Sequence, residues 1–129
     1  MIVLDTHAWL WWLSDPERLS APAREALAES TAIGVSTLSA WELATLVRRR
    51  RIELDRDVRD WVRRGLSDER VWAIAPSPDV AVAAALLHDA TFPGDPADRF
   101  IFATARTLQA PLITRDEQMR RFAPAETIW

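Results

Sequence analysis

The chain has 129 residues, of which 49% are hydrophobic and seven are tryptophan, so we expect one domain over residues 1–129 with a sizeable core. The absence of cysteine excludes disulfides, thiolate zinc sites and cysteine nucleophiles, and the absence of lysine excludes every mechanism that needs one. The net charge of −3 provides no overall basic field for nucleic acid, so the placement of the sixteen arginines matters more than the total charge.

Short β-rich runs recur along the chain, with helix-length segments between the first four of them. These runs cover residues 2–4, 32–35, 71–75, 112–114 and 127–129. Strands that alternate with helices in this way predict an α/β fold with a parallel sheet covered by helices on both faces.

The amino-terminal segment has no feature of an export signal. Met1 leads directly into an apolar run with no basic segment before it, which argues against a cleaved secretory signal. The most apolar stretch, residues 80–87, is far shorter than the roughly 20 residues needed to span a bilayer. We therefore expect a soluble, cytoplasmic protein that does not enter a membrane.

Several helix starts are marked by capping residues. Three of them place a capping side chain before a proline that suits the first helical position: Asp15-Pro16, Ser77-Pro78 and Asp95-Pro96. Thr114 and Glu117 have the spacing of a capping box. These starts predict that Asp98 and Asp116 lie in the first turns of helices, where unpaired backbone N–H groups favour an anion. The loop at residues 89–94 leads into the first of these helices, and we expect it to face substrate.

Four acidic residues fall where such a fold would gather them: Asp5, Glu42, Asp98 and Asp116. Asp5 ends the first strand, at the sheet edge where open α/β folds bind ligands, although capping the next helix would explain it equally well. Glu42 lies on a predicted helix over Thr37–Arg48 and shares a face with leucines. Because an unpaired buried carboxylate costs several kcal/mol, we favour function over a salt bridge for Glu42.

The acids near Pro96 have different simplest explanations. Asp95 is most simply a helix cap, whereas Asp98 is the better ligand candidate because other residues of its helix supply the packing surface. Arg99 could pair with a carboxylate or contact a substrate phosphate, and the sequence leaves both roles open. Asp116, which follows the strand at 112–114, could serve only to favour a helix terminus.

The four acids together indicate more than each does alone. Two carboxylates about 6 Å apart repel by roughly 3 kcal/mol at an effective dielectric of about 20, so four that face one another need protons or a cation. Hard oxygen ligands select Mg²⁺ or Mn²⁺, which activate water and neutralise charge on a phosphoryl group. The pattern therefore indicates a metal-dependent nuclease.

Other conspicuous residues have simpler interpretations. The arginines at residues 48–51 are expected to form a solvated helix end rather than a phosphate contact. We interpret His7 and His88 as polar packing rather than as ligands or bases. Trp9 and Trp12 are expected to pack in the core, with an interface to another chain as the alternative.

Four motifs occur in the order and spacing found in PIN-domain ribonucleases, and the chain resembles the VapC-type toxins of bacterial toxin–antitoxin pairs. The motifs are VLDTHAWL at 3–10, STLSAWEL at 36–43, GDPADRFIFATA at 94–105 and LITRD at 112–116. The resemblance implies a three-layer α/β/α fold in which Asp5, Glu42, Asp98 and Asp116 form an acidic metal pocket. It also places the hydroxyl groups of Thr6 and Thr114 beside that pocket.

The same resemblance implies endoribonuclease activity on cellular RNA, inhibition by a cognate VapB-like antitoxin, and a homodimer. The resulting hypothesis makes Asp5 and Asp98 the principal ligands of Mg²⁺ (or Mn²⁺). Glu42 and Asp116 complete the coordination directly or through water. An activated water then attacks an RNA phosphodiester in line.

Three other interpretations fit less well. A receiver domain also has an acidic pocket, but its usual lysine is absent from this chain. A haloacid-dehalogenase-like phosphatase usually has a second aspartate two positions after its nucleophile, where this chain has His7. A noncatalytic module that binds a partner through its tryptophan-rich helix is the alternative from another class, and the presence of all four acids speaks against it.

Overall fold

The computed structural model describes residues 1–87, 92 and 94–129. Its sheet has five strands, β1 to β5 in chain order: Ile2–Leu4, Ile33–Ser36, Val71–Ile74, Leu112–Ile113 and Thr127–Ile128. All neighbouring pairs are parallel, and the order across the sheet is β3-β2-β1-β4-β5. The predicted parallel sheet is confirmed, and the first strand of the chain occupies its centre.

Seven α-helices lie within the described residues, and none of them is long and apolar enough to cross a membrane. The helices α1 to α7 are Thr6–Ser14, Ala21–Glu29, Thr37–Arg48, Val58–Gly65, Pro78–Leu86, Pro96–Thr107 and Glu117–Phe122. Two 3₁₀ segments, Pro16–Arg18 and Pro124–Glu126, complete the described helical elements. His88 and most of the loop predicted at 89–94 lie outside the described residues.

Two predicted helix starts are correct and two are wrong. Ser77 and Asp95 cap α5 and α6 by accepting hydrogen bonds from backbone N–H groups. The Asp15 side chain accepts no capping hydrogen bond from the segment that follows it, which is a 3₁₀ turn rather than an α-helix, and the Asp15 backbone N–H donates to Trp11 O at the end of α1. The cap of α7 is Asp116 rather than Thr114: Asp116 Oδ1 accepts from Met119 N at 2.8 Å. The hydroxyl of Thr114 is instead used at the sheet edge.

Alternate residues of the strands belong to two separate cores, one on each face of the sheet. In β1, Ile2 and Leu4 join one core, while Val3 between them joins the other. The same alternation separates Leu112 from Ile113 in β4. Helices cover both faces, and the three-layer α/β/α architecture is confirmed.

The tryptophans of α1 contribute to the first of these cores. Trp9 is fully buried, donates from Nε1 to the Gly65 carbonyl at 3.3 Å, and meets Trp61 edge-on with 5.0 Å between ring centroids. Gly65 is needed for this packing, since a Cβ there would lie 2.9 Å from Trp9 Cζ2. Trp12 is half-buried at the margin of the same core. Core packing is therefore confirmed as the use of Trp9.

The arginine run ends α3. Arg48 is in the last turn, and the chain leaves the helix through Arg50, whose φ of 57° lies in the left-handed region. Arg50 N and Arg51 N donate to the carbonyls of Val47 and Leu46, which closes the helix end. All four arginines of the run are exposed, as expected of a solvated helix terminus.

Candidate active site

The carboxyl ends of β1 and β4 meet at the edge of the sheet, where they orient Asp5. Asp5 caps α1, with Oδ1 accepting from Ala8 N at 2.8 Å. Its other oxygen, Oδ2, accepts a hydrogen bond from the Thr114 hydroxyl. That hydroxyl in turn accepts from Asp116 N at 3.0 Å. Capping is thus one role of Asp5, and Thr114 fixes the second oxygen of the same carboxylate.

Burial dominates the electrostatics of Asp5, which is 9% exposed. Loss of solvation raises the pKa of Asp5, and the charge of Asp116 raises it further. The hydrogen bonds from Thr114 and Ala8 and the proximity of His7 lower that pKa without offsetting the burial. Ionisation of Asp5 is therefore harder here than in water, and a nearby positive charge would offset that cost.

Glu42 from α3 meets the first turn of α6, where Asp95 is the cap and Asp98 the third helical residue. Carboxylate oxygens of Glu42, Asp95 and Asp98 lie within 4.8 Å of one another. Burial raises the pKa of Asp98 to about 8, and the charges of Glu42, Asp95, Asp5 and Asp116 add to the effect. Three acids this close cannot all ionise readily without a cation.

The pKa of Glu42 is raised, as is that of Asp98. Burial raises the pKa of Glu42, and the charges of Asp95 and Asp5 raise it further, while the Thr6 hydroxyl and His7 lower it. The buried Thr6 hydroxyl lies near enough to influence Glu42, although it forms no hydrogen bond of good geometry. Thr6 thus sits beside the acids, where the resemblance places it.

One cleft of about 590 Å³ contains all four of the acids that the sequence singled out. Its walls include Asp5, Glu42, Asp98, Asp116, His7, Arg18, Arg115, Trp11, Leu10 and Ile52. The four acids come from the end of β1, from α3, from α6 and from the turn after β4, which the parallel sheet brings to one edge. A hard cation and a phosphate-bearing ligand both suit this mixture of acids and arginines.

The structure adds to the predicted roles of several residues. Asp95 caps α6 and also belongs to the acid cluster, a dual role that its spacing of three residues from Asp98 already allowed. Arg99 donates from Nε to the Ala84 carbonyl at 3.0 Å and from Nη2 to the Ala85 carbonyl at 3.3 Å. These contacts fix α6 to the end of α5, a use of Arg99 that the sequence did not suggest.

Arg115 lines the cleft but was not predicted as a site residue. Nothing in the sequence distinguishes it from the other arginines.

A family model described as "PIN domain" matches residues 2–124. The chain belongs to the PIN-domain family. It is 37% identical to Ribonuclease VapC22 of Mycobacterium tuberculosis over 130 aligned positions, which cover 99% of this chain and 98% of that protein. The predicted resemblance to VapC-type proteins is thereby confirmed, and the receiver and phosphatase alternatives are set aside.

Solved structures agree with the PIN fold. A toxin–antitoxin complex from Klebsiella pneumoniae matches with a TM-score of 0.71 at 21% identity, covering 100% of this chain and 97% of that one. VapBC2 from Rickettsia felis, bound to a DNA fragment from its promoter, matches with a TM-score of 0.67 at 20% identity, covering 94% and 92%. At these identities the likeness shows that the PIN domain here has the same fold as those proteins.

Proposed function

We propose that this PIN-domain protein is a metal-dependent endoribonuclease that acts as a cytoplasmic toxin and is neutralised by a VapB-like antitoxin. The observation that carries the proposal is the group of acids in one cleft, in which burial and mutual repulsion raise the pKa of Asp98 to about 8. Acids in this arrangement need a compensating cation, and cations held by carboxylates are suited to phosphodiester chemistry. The name of the relative, a VapC ribonuclease, supports RNA as the substrate.

The donor atoms of the cluster fit Mg²⁺ or Mn²⁺. Every candidate ligand is a carboxylate oxygen, and three of these acids, Glu42, Asp95 and Asp98, already lie within 4.8 Å of one another. We assign the metal to Asp5, Asp98 and Glu42, with Asp116 and Asp95 completing the coordination directly or through water. Such a cation, when bound, lowers the pKa of water and neutralises charge on the phosphoryl group.

The residues around the metal ligands hold them in place before RNA arrives. Asp5 cannot rotate freely, because Ala8 N and the Thr114 hydroxyl occupy both of its oxygens. Asp116 accepts from Met119 N through Oδ1, and no hydrogen bond within the described residues occupies its second oxygen. That oxygen is therefore available for metal coordination, directly or through water. Pre-oriented groups avoid the cost of reorganisation during the reaction.

The direct test is to incubate the purified, partner-free protein with total cellular RNA in the presence of Mg²⁺, Mn²⁺ or EDTA. We expect discrete fragments with either metal and intact RNA with EDTA, because the acids cannot gather around a phosphate without a cation. Sequencing of the fragment ends then maps the target.

A preparation of the Asp5→Asn variant, made in the same way, reports contaminating nucleases. Identical fragments from the variant, or from the EDTA sample, would contradict the proposal. Metal binding measured by calorimetry with no cleavage of varied RNAs would instead favour the noncatalytic interaction module.

We also propose that the protein assembles as a homodimer. β3 lies at one edge of the sheet and presents Trp72, which is 60% exposed. The next helix, α5, presents Val82 and Leu86, which are 59% and 70% exposed. Large apolar side chains exposed on neighbouring elements of the chain favour a protein interface.

The double substitution Val82→Glu and Leu86→Glu is expected to convert the dimer to a monomer, because it introduces charge on the proposed contact. Light scattering coupled to gel filtration measures the mass directly. Leu108→Glu, at the exposed end of α6, is the matched control and should leave the mass unchanged. A monomeric native protein, or a double variant that stays dimeric, would rule out this interface.

A further inference from the structure

The acidic cleft also contains two arginines that come from distant parts of the chain. Arg18 ends the 3₁₀ segment after α1, and Arg115 lies between Thr114 and Asp116. Both side chains are exposed and both line the cleft. The fold thus places two positive charges beside the four acids, although the chain as a whole has a net charge of −3.

One buried indole supports both guanidinium groups. The Cζ atoms of Arg18 and Arg115 lie 4.5 Å and 5.6 Å from the centroid of the Trp11 ring. Trp11 is only 6% exposed and is held by His7 and Trp129, whose ring centroids are 5.5 Å and 6.0 Å away. An arginine stacked on a fixed aromatic ring loses less freedom when it binds a ligand.

The two arginines differ from others that also stack on rings. Arg70 lies over Trp12 and pairs with Asp68 at 3.1 Å, and Arg106 lies over Phe102 and pairs with Glu126 at 2.8 Å. Within the described residues, the side chains at 18 and 115 form no salt bridge and donate no hydrogen bond to protein. Each guanidinium carries five N–H donors, which are therefore left for a ligand.

Phosphate groups are the ligand that best explains this arrangement. A guanidinium binds a phosphate with two parallel hydrogen bonds, and arginine contacts of this kind position a nucleic acid without reading its sequence. An RNA strand carries a phosphate at every nucleotide, so a strand that reaches the acids also places phosphates along the cleft walls. The cation that the proposed function places among the acids offsets their repulsion of the strand.

We propose that Arg18 and Arg115 bind backbone phosphates of the RNA strand next to the scissile bond, and that Trp11 is the positioning residue that holds both guanidinium groups. This inference rests on the proposed ribonuclease function and assigns its substrate-binding residues. It accounts for nucleic-acid binding by a chain of negative net charge, because the positive groups are concentrated where the strand must lie.

The test measures binding separately from cleavage. A fluorescein-labelled, single-stranded 12-nucleotide RNA pool is titrated in CaCl₂ over a series of KCl concentrations, with RNA integrity checked on gels. For Arg18→Ala or Arg115→Ala we expect affinity at 0.1 M KCl to fall about fivefold. The slope of log K against log[KCl] is negative, and it should become less negative by about 0.7 for each arginine removed.

Arg24→Ala is the matched control, since Arg24 is also exposed, makes no salt bridge within the described residues, and lies outside the cleft. It should leave affinity and slope unchanged. Trp11→Phe should retain the slope, because it keeps an aromatic ring. Trp11→Leu should make the slope less negative, toward that of a variant that carries both Arg18→Ala and Arg115→Ala. Urea melts establish that each variant is folded.

The outcomes separate this inference from the function on which it rests. Wild-type cleavage of RNA, combined with arginine variants that bind like Arg24→Ala, overturns the inference and leaves the ribonuclease intact. Arginine variants that bind RNA as tightly as the wild type but lose binding of a labelled glutamate decapeptide would reassign the arginines to an acidic protein partner. That result would also overturn the inference. Absence of wild-type cleavage in Mg²⁺ and Mn²⁺ refutes the proposed function itself.

Discussion

Replacement of Asp5 by asparagine is expected to reduce RNA cleavage by on the order of a thousandfold, the loss typical when one electrostatic group is removed from a preorganised site. Asparagine retains an oxygen that can accept from Ala8 N, so the cap of α1 is kept. With its oxygen at Ala8 N, asparagine removes the negative charge and places its NH₂ group opposite the Thr114 hydroxyl. The variant therefore loses the ligand and keeps the fold.

The measurement is the single-turnover rate with a labelled RNA fragment over a range of Mg²⁺ and Mn²⁺ concentrations. Asp60→Asn is the matched control, because Asp60 is an exposed acid on α4 that pairs only with Arg63 in the next turn. It should cleave at the wild-type rate. Full cleavage by Asp5→Asn with unchanged metal dependence would remove Asp5 from the site.

The metal-free protein is expected to lose stability as the pH rises from about 5 to 9, by roughly 2–5 kcal/mol. The reason is that the folded state raises the pKa of Asp98 from 3.8 to about 8. Between these values the folded state binds a proton that the unfolded chain releases, so stability is full at low pH and falls as the pH passes through 8. Glu42 and Asp5, whose pKa values are also raised, act in the same direction.

Urea denaturation in EDTA at unit intervals from pH 5 to 9 measures this effect. The lower limit keeps Asp55, Asp68 and Glu126 ionised, because salt bridges hold the pKa of each below its usual range. Asp98→Asn should flatten the profile, since the group responsible no longer titrates. Added Mg²⁺ should stabilise the wild type more at pH 8 than at pH 5, because it binds the ionised acids. A metal-free profile that is flat, or that rises with pH, would contradict the raised pKa that burial and the neighbouring carboxylates give Asp98.

Much of the fold could be predicted because its strands are short apolar runs in a chain of otherwise helical periodicity. All five strands overlap the predicted runs, and the carboxyl end of β1 places Asp5 at the ligand-binding edge. The pairing of β1 with β4 and the contact of Asp5 with Thr114 both join residues 109 positions apart, which no local pattern encodes. The cap of α7 was assigned wrongly for the same reason, since Thr114 is engaged by Asp5.

The acids of the site could be anticipated, but the groups around them could not. A carboxylate at the end of a strand or in the first turn of a helix has few structural explanations, so Asp5 and Asp98 were conspicuous. An arginine has many, and within the described residues Arg18 and Arg115 stand out only by combining a ring beneath the guanidinium group with no salt bridge or hydrogen bond to protein. Such differences exist only after the chain has folded.

The central position of β1 sets the order in which the cleft can be assembled during synthesis. One neighbour of β1 in the sheet is β4, and the hydroxyl that orients Asp5 belongs to a residue 109 positions later in the chain. A growing chain that ends before Thr114 has the first three acids but neither the strand that pairs with β1 on that side nor Asp116. The four acids therefore cannot be gathered in one cleft until the segment from β4 to Asp116 has left the ribosome.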